Sequence, residues 1–474
     1  MVLKSDQSKA FELLKSFISD PESSVFILKG YAGTGKTTMM SVLIDELKKR
    51  DLHYSLLAST GRAAKILSDK TQKDTTTVHG KIYSYKGLNR NLEDLITERS
   101  QTDIDKTGQI LINFELTAPY KEFDGDKIHY YIIDEASMIS DIEDKNATQA
   151  LFGSGKLLTD LMNYDKNGKF IFVGDLCQLP PVLQSVSPAL SATYFKETFQ
   201  IDAIEFEMTE IVRQNSGNGI IDSSKLVRKQ YASNPVTKWI KFPLRGFNNI
   251  VLYPDRSSLL RSYIGLIKQG AYNDSTLICQ SNKNCLNLTE LIRPSLNFDN
   301  ARILPRDLLL VTQNNYLTGL MNGDMVEITQ IGVREQRAGL TFVKVEVKEL
   351  FTQKLFSLMM IEDIVYGTAT NLTQNQQKEL FIDFYLRMKS IGVKQDSDDF
   401  SQRMMKDSYL NALRAVFGYA LTCHKSQGGE WDDVFLDIGK SIQFYNRPAV
   451  FQWIYTAMTR ARKQLHIVDE WWIC

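Results

Sequence analysis

No stretch of this sequence approaches the roughly 20 apolar residues that span a bilayer; YYII at Tyr130 to Ile133 and KFIFVG at Lys169 to Gly174 are typical of its longest runs. A membrane-embedded protein is therefore not expected. The first residues, MVLKSDQSKAF, interleave Lys4, Asp6 and Lys9 with apolar positions and have no signal-peptide core, so residence in the cytoplasm is expected. Charge of one sign is also missing: 56 basic residues face 56 acidic ones. That balance excludes a generally cationic surface, and any nucleic-acid binding has to come from a local groove. The five cysteines (Cys177, Cys279, Cys285, Cys423 and Cys474) show no CxxC spacing, and the five histidines no metal-ligand spacing. Reduced thiols are expected, and no protein-ligated transition metal. There is no fixed-period repeat and no low-complexity run.

What is present is an ordinary globular composition, 43% apolar and 24% charged over 474 residues, which is long for one core and suggests two or three domains. Short apolar runs (SVFILKG, YSLLAS, IHYYIID, KFIFVGD) alternate with helical spacing. This is the pattern of a parallel sheet covered by helices. The rhythm breaks between Gly80 and Lys127, resumes with TLICQSN, and breaks again where FVKVEVK alternates as a half-buried strand. A charged segment follows from Thr373 to Tyr409, with Leu380, Phe381, Phe384, Tyr385 and Met388 on one helical face. It closes with AVFGYALT, DVFLDIG and QLHIVDE. The expected fold class is α/β, with two P-loop-type domains each interrupted once.

GYAGTGKT, Gly30 to Thr37, lies between a predicted strand and a predicted helix, the context of a P-loop. Its amides, including those of Gly33, Thr34, Gly35 and Thr38, are expected to cradle phosphates. Lys36 would reach the β- and γ-oxygens of ATP, and Thr37 would hold Mg²⁺. About a hundred residues on, IHYYIIDEAS delivers Asp134 to the metal and Glu135 to the attacking water, both at a strand end. FVGDLCQLPPV places Gln178 where it can sense the γ-phosphate. Arg213 in MTEIVRQN and Arg460 in YTAMTRARKQ are candidates for the cations that phosphoryl transfer requires from a neighbouring domain.

Through the order and identity of these segments, and of LASTGRAAKIL, TTTVHG, NNYLTGLMNGD and YALTCHKSQGGEWDDV, the sequence resembles the superfamily 1B DNA helicases of the RecD and Dda type. The matching segments run from Gln7 to Arg462. The resemblance implies two RecA-like domains with ATP between them, single-stranded DNA across their top, and movement from 5′ to 3′. It implies a first domain over residues 1–192 with a pin inserted at 81–127, and a second over 193–293 and 408–474 with an SH3-like insertion and helical projection at 294–407. By the same resemblance Gln7 reads the adenine, Glu430 lies at the ribose, and Gln427 links DNA loop to nucleotide. Thr60, Gly61, Arg62, Thr77 and His79 in the first domain, and Thr422, His424, Lys425 and Ser426 in the second, match the DNA-contacting motifs. Small hydroxyls and amides suit phosphate contacts, while His79, His424 and Pro180 offer faces for bases. Phe114 in LINFEL is the candidate pin aromatic.

The sequence departs from the family pattern at Thr289, where relatives tend to carry Asn, and in the long polar DLITERSQTDIDKTG. The expected partners are single-stranded DNA and forked or 5′-tailed duplex, with protein partners through the insertions. The absence of a nuclease constellation or an extension before the P-loop favours a stand-alone, monomeric motor. Two further readings stay open at this stage: an ATP-gated clamp or motor subunit with little unwinding of its own, and an RNA helicase of viral type.

Overall fold

The computed structural model describes residues 3–89, 92, 111–117, 128–143, 150–212, 218–315, 317–367 and 369–474. The N-terminal half contributes strands β1 (Val25–Gly30), β2 (His53–Ala58), β3 (Thr75–Thr77), β4 (Tyr83–Leu88) and β5 (Ile112–Leu116). It continues with β6 (His129–Asp134), β7 (Ala150–Phe152), β8 (Lys169–Gly174) and β9 (Ile204–Met208). Six of these form one parallel sheet in the order β3-β2-β6-β8-β1-β9. Strands β1 and β8 are almost wholly buried because helices pack on both faces, which is why they read as continuous apolar runs instead of alternating ones.

The sheet ends later than the sequence pattern suggests. Strand β9 runs beside β1 from Phe26↔Ile204 to Gly30↔Met208, so the first domain extends past residue 192. IEFEM alternates, as an edge strand with one wet face does, and so lacks the buried-strand signature of its neighbours.

A three-stranded sheet, β4-β5-β7, carries the first interruption. Strands β4 and β5 are antiparallel, but β7 comes from outside residues 81–127 and pairs parallel to β5 through Ile112↔Ala150. The insertion is thus completed by chain from beyond its expected boundary.

The C-terminal half contributes β10 (Ile250–Tyr253), β11 (Ser275–Cys279), β12 (Leu308–Val311), β13 (Met325–Arg337) and β14 (Leu340–Glu349). Then come β15 (Leu355–Ile361), β16 (Ala415–Phe417), β17 (Leu421–Thr422), β18 (Trp431–Asp437) and β19 (Ala461–Val468). A second parallel sheet has the order β10-β19-β18-β11-β17. An antiparallel sheet, β15-β14-β13-β12-β16, interrupts it. Here β16 lies beyond residue 407 yet pairs with β12, so the return to the second domain falls later than expected. The helices Gln374–Ser390 and Asp398–Lys406 pack through Phe384 and Phe400, whose ring centroids are 5.1 Å apart.

A buried ion pair ties the second domain to its insertion. Arg293 reaches Asp307 through two bonds of 2.9 and 2.8 Å, and Tyr419 donates to the same carboxylate at 2.8 Å. With both charges fully buried and bidentate, removing either partner would leave an uncompensated charge in the core. All five cysteines are free thiols, and no helix among the described residues is long and apolar enough to cross a membrane.

Candidate nucleotide site and nucleic-acid interface

The ends of β1, β6 and β8 lie side by side at the carboxyl edge of the first sheet, the position where open parallel sheets place ligands. The loop after β1 turns through Gly33 at φ +83° and Gly35 at φ +84° before the helix Lys36–Lys49 begins. At Gly35 a glycine is needed twice over, since a Cβ would also lie 2.3 Å from the Gln7 amide nitrogen. Gln7 itself is buried; it donates to the Thr34 carbonyl at 3.3 Å and accepts from the Lys4 N–H at 3.1 Å. The N-terminal helix Ser5–Ser19 is thereby fastened to the loop. Lys36 donates to the carbonyls of Gly30 (2.7 Å) and Tyr31 (3.3 Å), which holds its ammonium inside the loop.

Asp134 and Glu135 follow β6. Glu135 has φ +50°, a left-handed conformation that costs a non-glycine residue about 1 kcal/mol or more and recurs at functional turns. Burial, and then the neighbouring Glu135 charge, push the Asp134 pKa up to about 7, against the pull of Lys36. Gln178, after β8, bridges the domains. With its amide oriented to satisfy both groups, it donates to Glu135 Oε2 at 3.3 Å and accepts from Arg460 Nη2 at 3.0 Å. Arg460 is buried and also donates to the Thr456 carbonyl at 3.1 Å.

These groups line a cleft of about 650 Å³ between the domains, together with Thr37, Thr38, Lys70, Gly428 and Glu430. Glu430 pairs with Lys70 at 3.3 Å across it. Arg213 lies outside the described residues; the Val212 N–H immediately before it donates to the Gly33 carbonyl at 2.9 Å.

Several residues that sequence reasoning did not single out join the two domains beside the cleft. Tyr455, on the helix Ala449–Met458, donates to Asp175 at 2.8 Å and accepts from the Ala32 N–H at 3.0 Å. Thr456 accepts from the Leu179 N–H at 2.8 Å, and Gln452 donates to the carbonyls of Leu176 (3.1 Å) and Gln178 (3.2 Å). Arg228 lies over the Tyr31 ring at 3.7 Å. One available signal was polar groups at Gln452, Tyr455 and Thr456 on an otherwise apolar helix just before TRAR.

On the expected DNA face the picture is mixed. Thr422 ends β17 beside Cys279, followed by the exposed His424 and the part-buried Lys425, whose pKa is lowered by that burial. Ser426 is instead buried and donates to the Cys423 carbonyl at 2.8 Å, so its hydroxyl shapes the turn. Gln427 donates to the Leu179 carbonyl at 3.0 Å, directly joining this turn to the loop that carries Gln178. Thr60 and Thr77 use their hydroxyls as helix caps, accepting from Ala63 (3.2 Å) and Gly80 (3.0 Å). Gly61 packs so closely on Met321 that a Cβ would lie 2.3 Å from its sulfur.

Packing engages four of the residues expected to contact DNA. Arg62 is half-buried with its guanidinium 4.3 Å from the Trp431 ring, and burial lowers its pKa to about 10. The stack joins the first domain to the second, and Arg62 also lines a cleft of about 310 Å³ between them. Pro180 is buried, and the exposed apolar residues of that loop are Val182, Leu183 and Val186. His79 is half-buried against Tyr83 and Phe152, at 5.7 and 5.1 Å. Phe114 is 8% exposed and stacks on Phe152 at 4.8 Å, so it belongs to the core of the small sheet. Thr289 donates to the Cys285 carbonyl at 2.9 Å within its own helix.

Residues 2–240 match a family described as an AAA domain, just over half of the chain, and residues 417–468 match a UvrD-like helicase C-terminal domain. The chain is 26% identical to the uncharacterized protein MJ1519 of Methanocaldococcus jannaschii over 95% of its own length and 37% of that protein's. It is 23% identical to the ATP-dependent RecD2 DNA helicase of Deinococcus radiodurans over 92% of its own length and 46% of the relative's. The chain thus spans less than half the length of these two curated relatives. A crystal structure of a Bacteroides Pif1 helicase with ADP-AlF3 and single-stranded DNA aligns over 99% of this chain and 93% of its own, at 16% identity and a TM-score of 0.47. With its P-loop, its two parallel sheets and both family matches, the chain belongs to the AAA-domain family and carries a UvrD-like helicase C-terminal domain, the pairing of a superfamily 1B helicase of the RecD type.

Proposed function

We propose that this chain is an ATP-driven motor that moves 5′ to 3′ along single-stranded DNA and opens forked or 5′-tailed duplex, acting as a monomer. The observation that carries the reading is the bond path through Gln178. Glu135 on one side and Arg460 on the other meet at its amide, and one residue away the Leu179 carbonyl accepts from Gln427. A change at the γ-phosphate therefore has a covalent and hydrogen-bonded route to Thr422, His424 and Lys425, about five residues or fewer from Gln427.

In this reading the P-loop amides hold the phosphates of ATP at a helix N-terminus. Lys36 moves from its loop carbonyls to the β- and γ-oxygens, Glu135 orients water and takes its proton, and Arg460 stabilises charge developing on the γ-phosphate from the second domain. Thr37 and Asp134 fit Mg²⁺: both are oxygen donors lining one cleft, and the raised pKa of Asp134 marks a negative charge that the protein leaves undercompensated. Magnesium, when bound, would neutralise the phosphate oxygens. By the family resemblance Gln7 would contact the adenine and Glu430 would lie near the ribose.

The deciding experiment uses the isolated chain on duplexes with a 5′ or a 3′ single-stranded tail. Unwinding of the 5′-tailed substrate with ATP, lost in Lys36→Ala, is expected. Preference for the 3′ tail would overturn the polarity, and DNA-stimulated hydrolysis without strand separation would make the chain a clamp or a motor subunit. Stronger stimulation of hydrolysis by RNA than by DNA would move the substrate to RNA.

A further inference from the structure

Some of the most exposed large apolar side chains lie together on the second domain, away from the cleft. Trp239 is 40% exposed, Trp471 44%, Phe444 74% and Val236 98%. The two tryptophan rings meet edge to face with centroids 5.4 Å apart. Lysines interleave with them: Lys238 lies 5.9 Å from the Trp239 ring and Lys241 5.0 Å from the Trp471 ring. Of the two carboxylates just before Trp471, Asp469 and Glu470, the former is engaged by Arg245 at 3.1 and 2.5 Å. Open aromatic faces set among cations are the composition of a stacking surface for single-stranded nucleic acid.

Its location supports the same ligand. Thr422 pairs with Cys279 at the carboxyl end of β11. The next residue, Gln280, accepts from the Gly439 N–H (3.1 Å) and the Ser441 hydroxyl (3.0 Å) in the segment after β18. In that segment Gln443 accepts from the Ile240 N–H at 2.8 Å and donates back to its carbonyl at 3.1 Å. Ile240 adjoins Trp239, and Trp471 follows β19. All these groups therefore cap one edge of the second sheet, the edge that carries Thr422. From β17 across β11 and β18 to β19 is three strand spacings, roughly 14 Å.

We propose that Trp239, Trp471 and Phe444, with Lys238 and Lys241, form a second platform for single-stranded nucleic acid, continuing the groove beyond Thr422 and Lys425. The inference rests on the motor reading above and adds a contact that the motifs do not contain. The platform holds the strand after it leaves the second domain's gripping turn. It thereby lengthens the footprint and slows dissociation between steps, without touching the nucleotide.

The test titrates the full chain with oligothymidylates of about 8 and about 24 nucleotides, lengths chosen around the site sizes of single-strand grooves. Trp431, Trp453 and Trp472 are buried, so fluorescence quenching reports mainly on Trp239 and Trp471. The longer oligomer is expected to quench this emission. In anisotropy titrations with dye-labelled oligomers, the Trp239→Ala/Trp471→Ala double variant should bind the longer one about 10-fold or more weakly, with affinity for the short oligomer and its stimulation of ATP hydrolysis unchanged. Trp239→Phe/Trp471→Phe should keep most of the affinity, and Lys238→Glu/Lys241→Glu should lose affinity with a shallower salt dependence. Equal affinity of the alanine variant for the long oligomer, with the short one still stimulating hydrolysis, overturns the platform alone. Failure of wild type to bind either length overturns the motor reading as well.

Discussion

Tyr455, from the second domain, donates to Asp175 at 2.8 Å and accepts at 3.0 Å from the N–H of Ala32 inside the first domain's phosphate loop. Its hydroxyl is thus a fixed joint between the two halves of the cleft. Asp175 is fully buried, and burial raises its pKa; the Lys36 charge, the Cys177 N–H and the Tyr455 hydroxyl together oppose that rise.

Replacing Tyr455 with Phe removes the hydroxyl and leaves a buried carboxylate and a loop amide each short of a partner. A loss of about 1–3 kcal/mol is expected. Thermal melting should fall by several degrees and the KM for ATP should rise; a variant matching wild type in both would show the joint to be idle.

Gln427 gives a second prediction, because it joins the turn carrying His424 and Lys425 to the carbonyl of Leu179. Gln427→Ala should leave hydrolysis without DNA near wild type and reduce its stimulation by single-stranded DNA about 10-fold. Parallel loss of both rates would point to a damaged nucleotide site instead of an interrupted connection.

Phe114 separates a packing role from a duplex-parting one. Stacked on Phe152 in the small sheet, it should cost about 3–5 kcal/mol on replacement with Ala, as buried aromatics do. The check is denaturant unfolding of Phe114→Ala beside Phe114→Leu, which should recover most of the stability. A fully stable Phe114→Ala that hydrolyses ATP but no longer unwinds would restore the pin assignment.

Two half-buried histidines predict the acid sensitivity of the first domain. Burial lowers the pKa values of His79 and His129 to about 4, although Asp160 pulls His79 the other way. The folded values lie below the unfolded one, so the unfolded chain binds more protons between about pH 4 and 6.5. Stability is complete above that window and is lost as pH falls through it, on the order of 2 kcal/mol for His79. His79→Leu should flatten the dependence of melting temperature on pH between 7.5 and 5; an unchanged slope would remove this residue from the account.

Local patterns were readable where one residue type has one physical use. Gly33 and Gly35 stand at positive φ before a helix, Asp134 and Glu135 end a buried strand, and Gln178 and Arg460 face one cleft. The DNA-face assignments fared differently. A threonine before a helix can cap its own helix and still turn its O–H to a phosphate, and Thr60 and Thr77 accept such capping bonds here. An arginine beside a motif can reach out or turn in, and Arg62 turns in onto Trp431, a residue far away in sequence.

The sequence by itself determined the two parallel sheets, the phosphate loop and the order of the motor segments, because runs of buried strand and glycine turns are set by short-range chemistry. Only the tertiary structure decided which strands close each sheet, that Tyr455 joins the two domains beside the cleft, and that Phe114 packs in the small sheet and Arg62 on Trp431. Those outcomes depend on contacts between residues up to several hundred positions apart, and no local pattern records its distant partner.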